Sequence, residues 1–261
     1  PELFYISAKI ICEFGFDGVD INMGCPAKSV SGRGAGAALI KTPDLAQSII
    51  RATKQGVADW VEGGLGELRP KLLDRVEETK QKLLAMGVRL PDQENRESIP
   101  VSVKTRIGFH EFVAEWWAEQ ILEEKPAALT MHGRTLKQMY MGLADWQELS
   151  RAANVVKEYN KTSEEYVPFL GNGDVTDLDS AKDRLEGTSI DGVLIGRGSF
   201  GNPFIFDIIG ELRAEDKREM RNVTLEDKMN LAIEHSSLHE QIKSEKAYVQ
   251  MRKHLAWYIK G

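Results

Sequence analysis

Five short apolar runs, each rich in β-branched residues and each ending on a polar side chain or a glycine, alternate along the chain with segments of helical periodicity. They are Gly18-Val19-Asp20-Ile21-Asn22, Val101-Ser102-Val103-Lys104, Ala128-Leu129-Thr130-Met131-His132, Pro168-Phe169-Leu170-Gly171-Asn172 and Gly192-Val193-Leu194-Ile195-Gly196. Runs of this length separated by helices predict parallel strands with crossover connections. Their polar C-terminal ends favour a (β/α)8 TIM barrel within the α/β class, because the βα loops at that end build the active site. Five strands cannot close an eight-stranded barrel, so an incomplete one is expected.

The connection between the first two strands is unusually long. Within it, Pro70 to Met86 reads as a charged helix with Leu72, Leu73, Val76, Leu83 and Leu84 on its apolar side and Gly87 as its stop. A surface helical insertion near residues 60–98 follows, structural rather than chemical. Strand signals cease after Phe206, and Asn202 to Arg213 leads toward a helix. From Thr224 to Gly261 the pattern is helical, with Tyr248, Met251, Leu255 and Tyr258 on one face that should be core. Arg252, Lys253 and Lys260 surround that helix beside Trp257, as a solvated charged face or an RNA-facing one. The expected organisation is a barrel section over residues 1–210 and the start of a helical domain over 220–261.

Composition narrows the class. The 261 residues are 42% hydrophobic and 28% charged, and no apolar run approaches the ~20 residues of a membrane span. Pro1-Glu2-Leu3-Phe4-Tyr5 does not open a secretion signal, and only Cys12 and Cys25 could pair, so a cytoplasmic protein is expected. A formal charge of -6 excludes a general nucleic-acid coat and confines any RNA site to a local patch. Two cysteines and five scattered histidines show no metal-ligand spacing, so no metal is expected.

Cys25 follows the first strand after a short Gly-containing turn, and Pro26 fixes the backbone beyond it, which holds a thiol at the barrel mouth. Cys12, inside Ile10-Ile11-Cys12, reads instead as a small buried hydrophobe. A nucleophile at Cys25 would need help toward thiolate, whereas an acid must keep its proton until transfer; the residues leave both roles open. Gly196-Arg197-Gly198-Ser199-Phe200-Gly201 matches GxGxxG, but no second strand ending in an acidic residue follows, so a Rossmann unit fits poorly. The loops Asn172-Gly173-Asp174 and Gly196-Arg197-Gly198 fit better as the phosphate site of a barrel, with glycine amides and the Arg197 charge meeting the anion. Gly32-Arg33-Gly34-Ala35-Gly36 reads as flexibility or close packing. Lys104 and His132, at the ends of the second and third strands, would converge on the same ligand. A flavin mononucleotide fits, since a fixed lysine stabilises negative charge near N1 and the C2 carbonyl; His132 fits a structural role equally well.

These motifs together resemble the tRNA-dihydrouridine synthase family over nearly the whole chain and in the family's order. The resemblance rests on Asp20-Ile21-Asn22-Met23-Gly24-Cys25-Pro26-Ala27-Lys28, Gly34-Ala35-Gly36-Ala37-Ala38-Leu39, Val103-Lys104-Thr105-Arg106, Met131-His132-Gly133-Arg134-Thr135, Gly171-Asn172-Gly173-Asp174 and Ile195-Gly196-Arg197-Gly198. It implies that NADPH reduces FMN, that hydride passes to C6 of a flipped-out uracil in tRNA, and that Cys25 protonates C5 to give 5,6-dihydrouridine. It assigns Lys104, His132, Asn172, Gly173, Asp174, Gly196 and Arg197 to FMN, Asn22 and Arg106 to the uracil, and Arg134 to an RNA-facing loop. It also implies that these are the last five barrel strands, followed by the start of a tRNA-binding helical domain, in a chain truncated at both ends and acting as a monomer. Two other readings compete: an FMN barrel oxidoreductase of dihydroorotate dehydrogenase type, and a non-catalytic RNA-binding module.

Overall fold

The computed structural model describes residues 1–66, 68–206, 223–243 and 245–259. All five expected strands form: β1 (Val19–Asn22), β2 (Val101–Arg106), β3 (Leu129–His132), β4 (Phe169–Asn172) and β5 (Gly192–Leu194). They make one sheet in the order β1-β2-β3-β4-β5, with β1–β2 and β2–β3 parallel. Sequential order with helical crossovers is consistent with a section of a (β/α)8 barrel. β2 runs two residues past its expected end, so Arg106 closes the strand rather than opening a loop, while β5 stops two residues early.

Two compact units divide the chain: residues 1–171 with 188–192, and residues 172–187 with 193–261. In the first, α1 (Glu2–Glu13) packs on α3 (Pro43–Gly63), and α5 (Ala114–Leu122) packs on α6 (Trp146–Asn160). The pleat turns Val101, Val103, Leu129, Met131 and Phe169 into the core with Ile50, Trp60, Trp117 and Leu149, all nearly inaccessible. The opposite side chains along the strands are Asp20, Asn22, Ser102, Lys104, Thr130 and His132, so alternation alone separates core from chemistry.

The expected insertion helix forms as α4 (Pro70–Ala85), and Gly87 ends it with φ 79°. Val76 is buried, but Leu84 is half exposed, which corrects the apolar side proposed for it. What seats α4 is polar: Lys80 Nζ lies 2.6 Å from Glu13 Oε1, and Trp60 Nε1 donates to the other oxygen of that buried carboxylate at 2.8 Å. In the second unit, α7 (Leu178–Leu185) starts on a capping box of Asp177 and Ser180, and a helix over Leu225–Ile242 starts on one of Thr224 and Asp227. A 3-10 turn over Glu245–Gln250 leads to a helix over Met251–Ile259; Met251 and Tyr258 are buried as expected, but Leu255 is only half-buried and Tyr248, also half-buried, lies in the turn before the helix, which corrects the single face expected for the four. The expected boundary at 210–220, the end of the Asn202 to Arg213 segment, and Lys260 lie outside the described residues.

Candidate active site

The turn carrying Cys25 is held from three sides. Asn22 Oδ1 accepts from the amide of Gly24 at 3.0 Å, the Met23 amide donates to the Lys104 carbonyl at 2.7 Å, and Thr105 Oγ1 donates to the Met23 carbonyl at 3.1 Å. Below it, the Ala37 amide donates to the Cys25 carbonyl at 3.1 Å. Gly36, at φ 59°, is packed so closely there that an added Cβ would lie 2.6 Å from the Cys25 carbonyl oxygen. Within the glycine cluster at 32–36, Gly36 is therefore a packing device, while Gly34 at φ 74° serves the turn itself, and the half-buried thiol stands on a turn with little freedom.

Arg106 ties this turn to a second loop. It is 3% exposed, yet it ends a strand in the unit's polar row. Its Nε donates to the Gly24 carbonyl at 2.8 Å, and Nη1 donates to the carbonyls of Thr135 and Met139, both at 3.1 Å. Arg134, 2% exposed, donates from Nη2 to the Gly142 carbonyl at 2.7 Å and from Nε to that of Met141 at 3.4 Å. Its Nη1 lies 3.3 Å from His132 Nε2; because guanidinium only donates, that contact requires the His132 tautomer protonated at Nδ1. Met139 takes φ 51°, a left-handed conformation costing roughly 1–3 kcal/mol in a non-glycine residue, and its carbonyl is one that Arg106 holds.

The charges around the thiol follow from this wiring. Burial lowers the Arg106 pKa, the Tyr140 phenol opposes the shift, Arg134 adds to it, and Cys25 opposes it. These four groups therefore share one electrostatic neighbourhood. Lys104, paired in register with Asn22 on one side and Thr130 on the other, also has its pKa lowered, by burial first and by Arg106 second. Asp20 counters that shift and is itself held by Ser102 Oγ at 2.8 Å. The unit thus brings together Asn22, Cys25, Lys104, Arg106, His132 and Arg134. Sequence reading singled out the loop through Arg134 but missed Tyr140; an aromatic two residues before a glycine, soon after a polar strand end, was the available signal.

The second unit assembles the remaining candidates. Asn172 Nδ2 donates to the Leu194 carbonyl at 2.8 Å, and Arg197 Nη2 lies 3.2 Å from Asp174 Oδ1, with Asp174 at φ 53°. An added Cβ on Gly198 would come within 2.3 Å of the Val175 carbonyl oxygen, so the Gly196-Arg197-Gly198 turn is pressed against the loop after β4. Glycine backbone, an amide and a guanidinium on one turn suit a phosphate. Among the described residues no group of three His, Cys, Asp or Glu could hold a metal ion, and no helix is long and apolar enough to cross a membrane.

A parallel α/β sheet whose polar side chains gather at the C-terminal strand ends, with a thiol on the first loop, is the arrangement of a section of a (β/α)8 barrel. The chain belongs to the dihydrouridine synthase family: the model of that family, "Dihydrouridine synthase (Dus)", matches residues 1–62 and 82–261. It is 31% identical to tRNA-dihydrouridine synthase B of Pasteurella multocida, over all of this chain and 64% of that protein. It is 28% identical to probable tRNA-dihydrouridine synthase 1 of Synechocystis, over all of this chain and 60% of that protein. The chain therefore spans less than two thirds of the length of these relatives. The stretch outside the family match, residues 63–81, contains most of α4.

Proposed function

We propose that this chain is the catalytic part of an FMN-dependent tRNA-dihydrouridine synthase that reduces uridine to 5,6-dihydrouridine, in the cytoplasm. The observation that carries the reading is the Cys25 turn, fixed at a strand end and bonded through Arg106 to a neighbouring loop. Each unit suits a part of the group: in the first, Lys104 and His132 suit a flavin ring, and in the second, Asn172, Gly173, Asp174, Gly196 and Arg197 suit a phosphate. When bound, FMN supplies the hydride for C6 of the uracil and is itself recharged by NADPH.

The protein's own part is to hold the base and move a proton. Asn22 and Arg106 orient the uracil, while Arg134 acts on the RNA through the loop it fixes. Cys25 Sγ–H gives its proton to C5 as the C5–C6 double bond becomes single, leaving a thiolate that takes a proton from water afterwards. Both cysteines are free, in keeping with a reducing compartment.

The test uses the longer parent protein with FMN, NADPH and unmodified tRNA, and measures dihydrouridine by mass spectrometry. Product is expected; none from the parent would end the enzyme reading.

A further inference from the structure

The 133–145 loop is more firmly anchored than its surface suggests. The Asp145 amide donates to the Gly133 carbonyl at 2.6 Å and closes the base of the loop. Leu136 and Lys137 donate their amides to the carbonyls of Gly108 and Phe109, both at 2.9 Å, zipping it to the loop after β2. The two buried guanidiniums hold four of its carbonyls, those of Thr135, Met139, Met141 and Gly142. On this fixed backbone Met141 is 76% and Leu143 82% exposed. Met139 and Tyr140 are exposed beside them, and a cluster of exposed apolar side chains on one rigid loop, unlike scattered ones, marks an interaction surface. Two cations belong to the same anchored region: Lys137 is exposed in the loop, and Lys41 Nζ sits 3.5 Å from the ring centre of Phe109, to which Lys137 is zipped.

We propose that Met141 and Leu143 form an apolar wedge that enters the stack of a folded RNA and fills the place left by the uridine turned out toward Cys25. The inference rests on the uridine reading above. An extruded base leaves a gap, and unstacking is unfavourable unless something apolar replaces the lost contact; methionine and leucine serve as such wedges elsewhere. Lys41 and Lys137, gathered at Phe109, suit the phosphates of such an RNA. Through Arg106, the same loop is tied to the Cys25 turn, so wedge and thiol keep a fixed spacing.

The test compares the FMN-loaded parent with its Met141→Ser/Leu143→Ser variant. One assay follows dihydrouridine in tRNA; a second places 2-aminopurine beside each loop uridine in turn and follows its fluorescence on binding. The variant is expected to lose at least about tenfold in dihydrouridine formation and to lose the fluorescence rise that reports unstacking. NADPH oxidation without RNA and thermal melting should not change, since both side chains stand in water, and Met141→Leu/Leu143→Met should restore both signals. Full dihydrouridine formation by the serine variant, or an undiminished fluorescence rise, overturns the wedge. A wild-type parent that unstacks the reporter through Met141 and Leu143 yet makes no dihydrouridine would support the wedge and refute the enzyme reading.

Discussion

In the first unit the two ends of the strands are both rich in charge, but the charge is used differently. At the N-terminal ends a cavity of about 850 Å³ opens between Arg51, Lys54, Pro100, Glu123, Glu124 and Lys125. Its groups answer one another: Arg51 pairs with Glu124, Lys54 donates to the carbonyls of Glu124 and Lys125, and Gln47 donates to Glu123. At the C-terminal ends Arg106 and Arg134 are buried and spend their donors on backbone carbonyls, so they fix loops. Cavity size is thus a poor guide to chemistry here. A site shows itself by donors that restrain the backbone around a reactive group, not by opposite charges that neutralise each other at the surface.

Substitutions at the two ends should separate them sharply. The largest effect is expected from Cys25→Ala in the FMN-loaded parent: dihydrouridine formation should fall by about 10²-fold or more, while flavin reduction by NADPH is retained, because the thiol serves only the base. Equal loss in both half-reactions, followed by stopped-flow absorbance, would break the assignment. Arg106→Lys comes next. One ammonium cannot reach the three carbonyls the guanidinium holds, so stability should drop by roughly 1–3 kcal/mol in urea unfolding, and amides near Thr135 and Met139 should exchange faster.

Smaller effects are expected away from the mouth. Burial pushes the Cys12 thiol from its ordinary 9.0 up to about 11. A raised folded-state pKa means the folded protein keeps that proton longer than the unfolded chain, so the contribution is full below pH 9 and disappears as pH rises to about 11. Unfolding curves across that window should show the decline, and Cys12→Ala should flatten it. Least of all, Arg51→Ala at the opposite end should leave dihydrouridine formation within about twofold and shift stability by less than about 1 kcal/mol. A large loss of activity there would erase the distinction between the two ends.

Much of this was legible in the chain. The five strands fall within two residues of their expected limits, because short β-branched runs between helical segments leave few other options. Cys25 follows β1 and His132 ends β3 as read, whereas Lys104 lies two residues inside β2, which runs on to Arg106. Leu84 was misjudged since helical periodicity does not say how wide a face its neighbours cover. Arg106 and Arg134 were read as contacts for the uracil and the RNA; what the chain did not show is that both also hold backbone carbonyls, for Arg106 one 82 residues away in the sequence, beyond any local pattern.

The sequence by itself determined the parallel order, the alternation that puts valines in the core and Asn22, Lys104 and His132 on the other face, and the thiol at the end of β1. Only the tertiary structure decided that Gly36 closes under Cys25, that two buried arginines hold the 133–145 loop, and that Tyr140 joins the neighbourhood of the thiol. The reason is physical. Periodicity encodes which side of an element a residue faces, a local property, whereas Arg106 finds the Gly24 carbonyl only after β1 and β2 have been brought side by side, and Arg134 its carbonyls only once the loop after β3 has folded back.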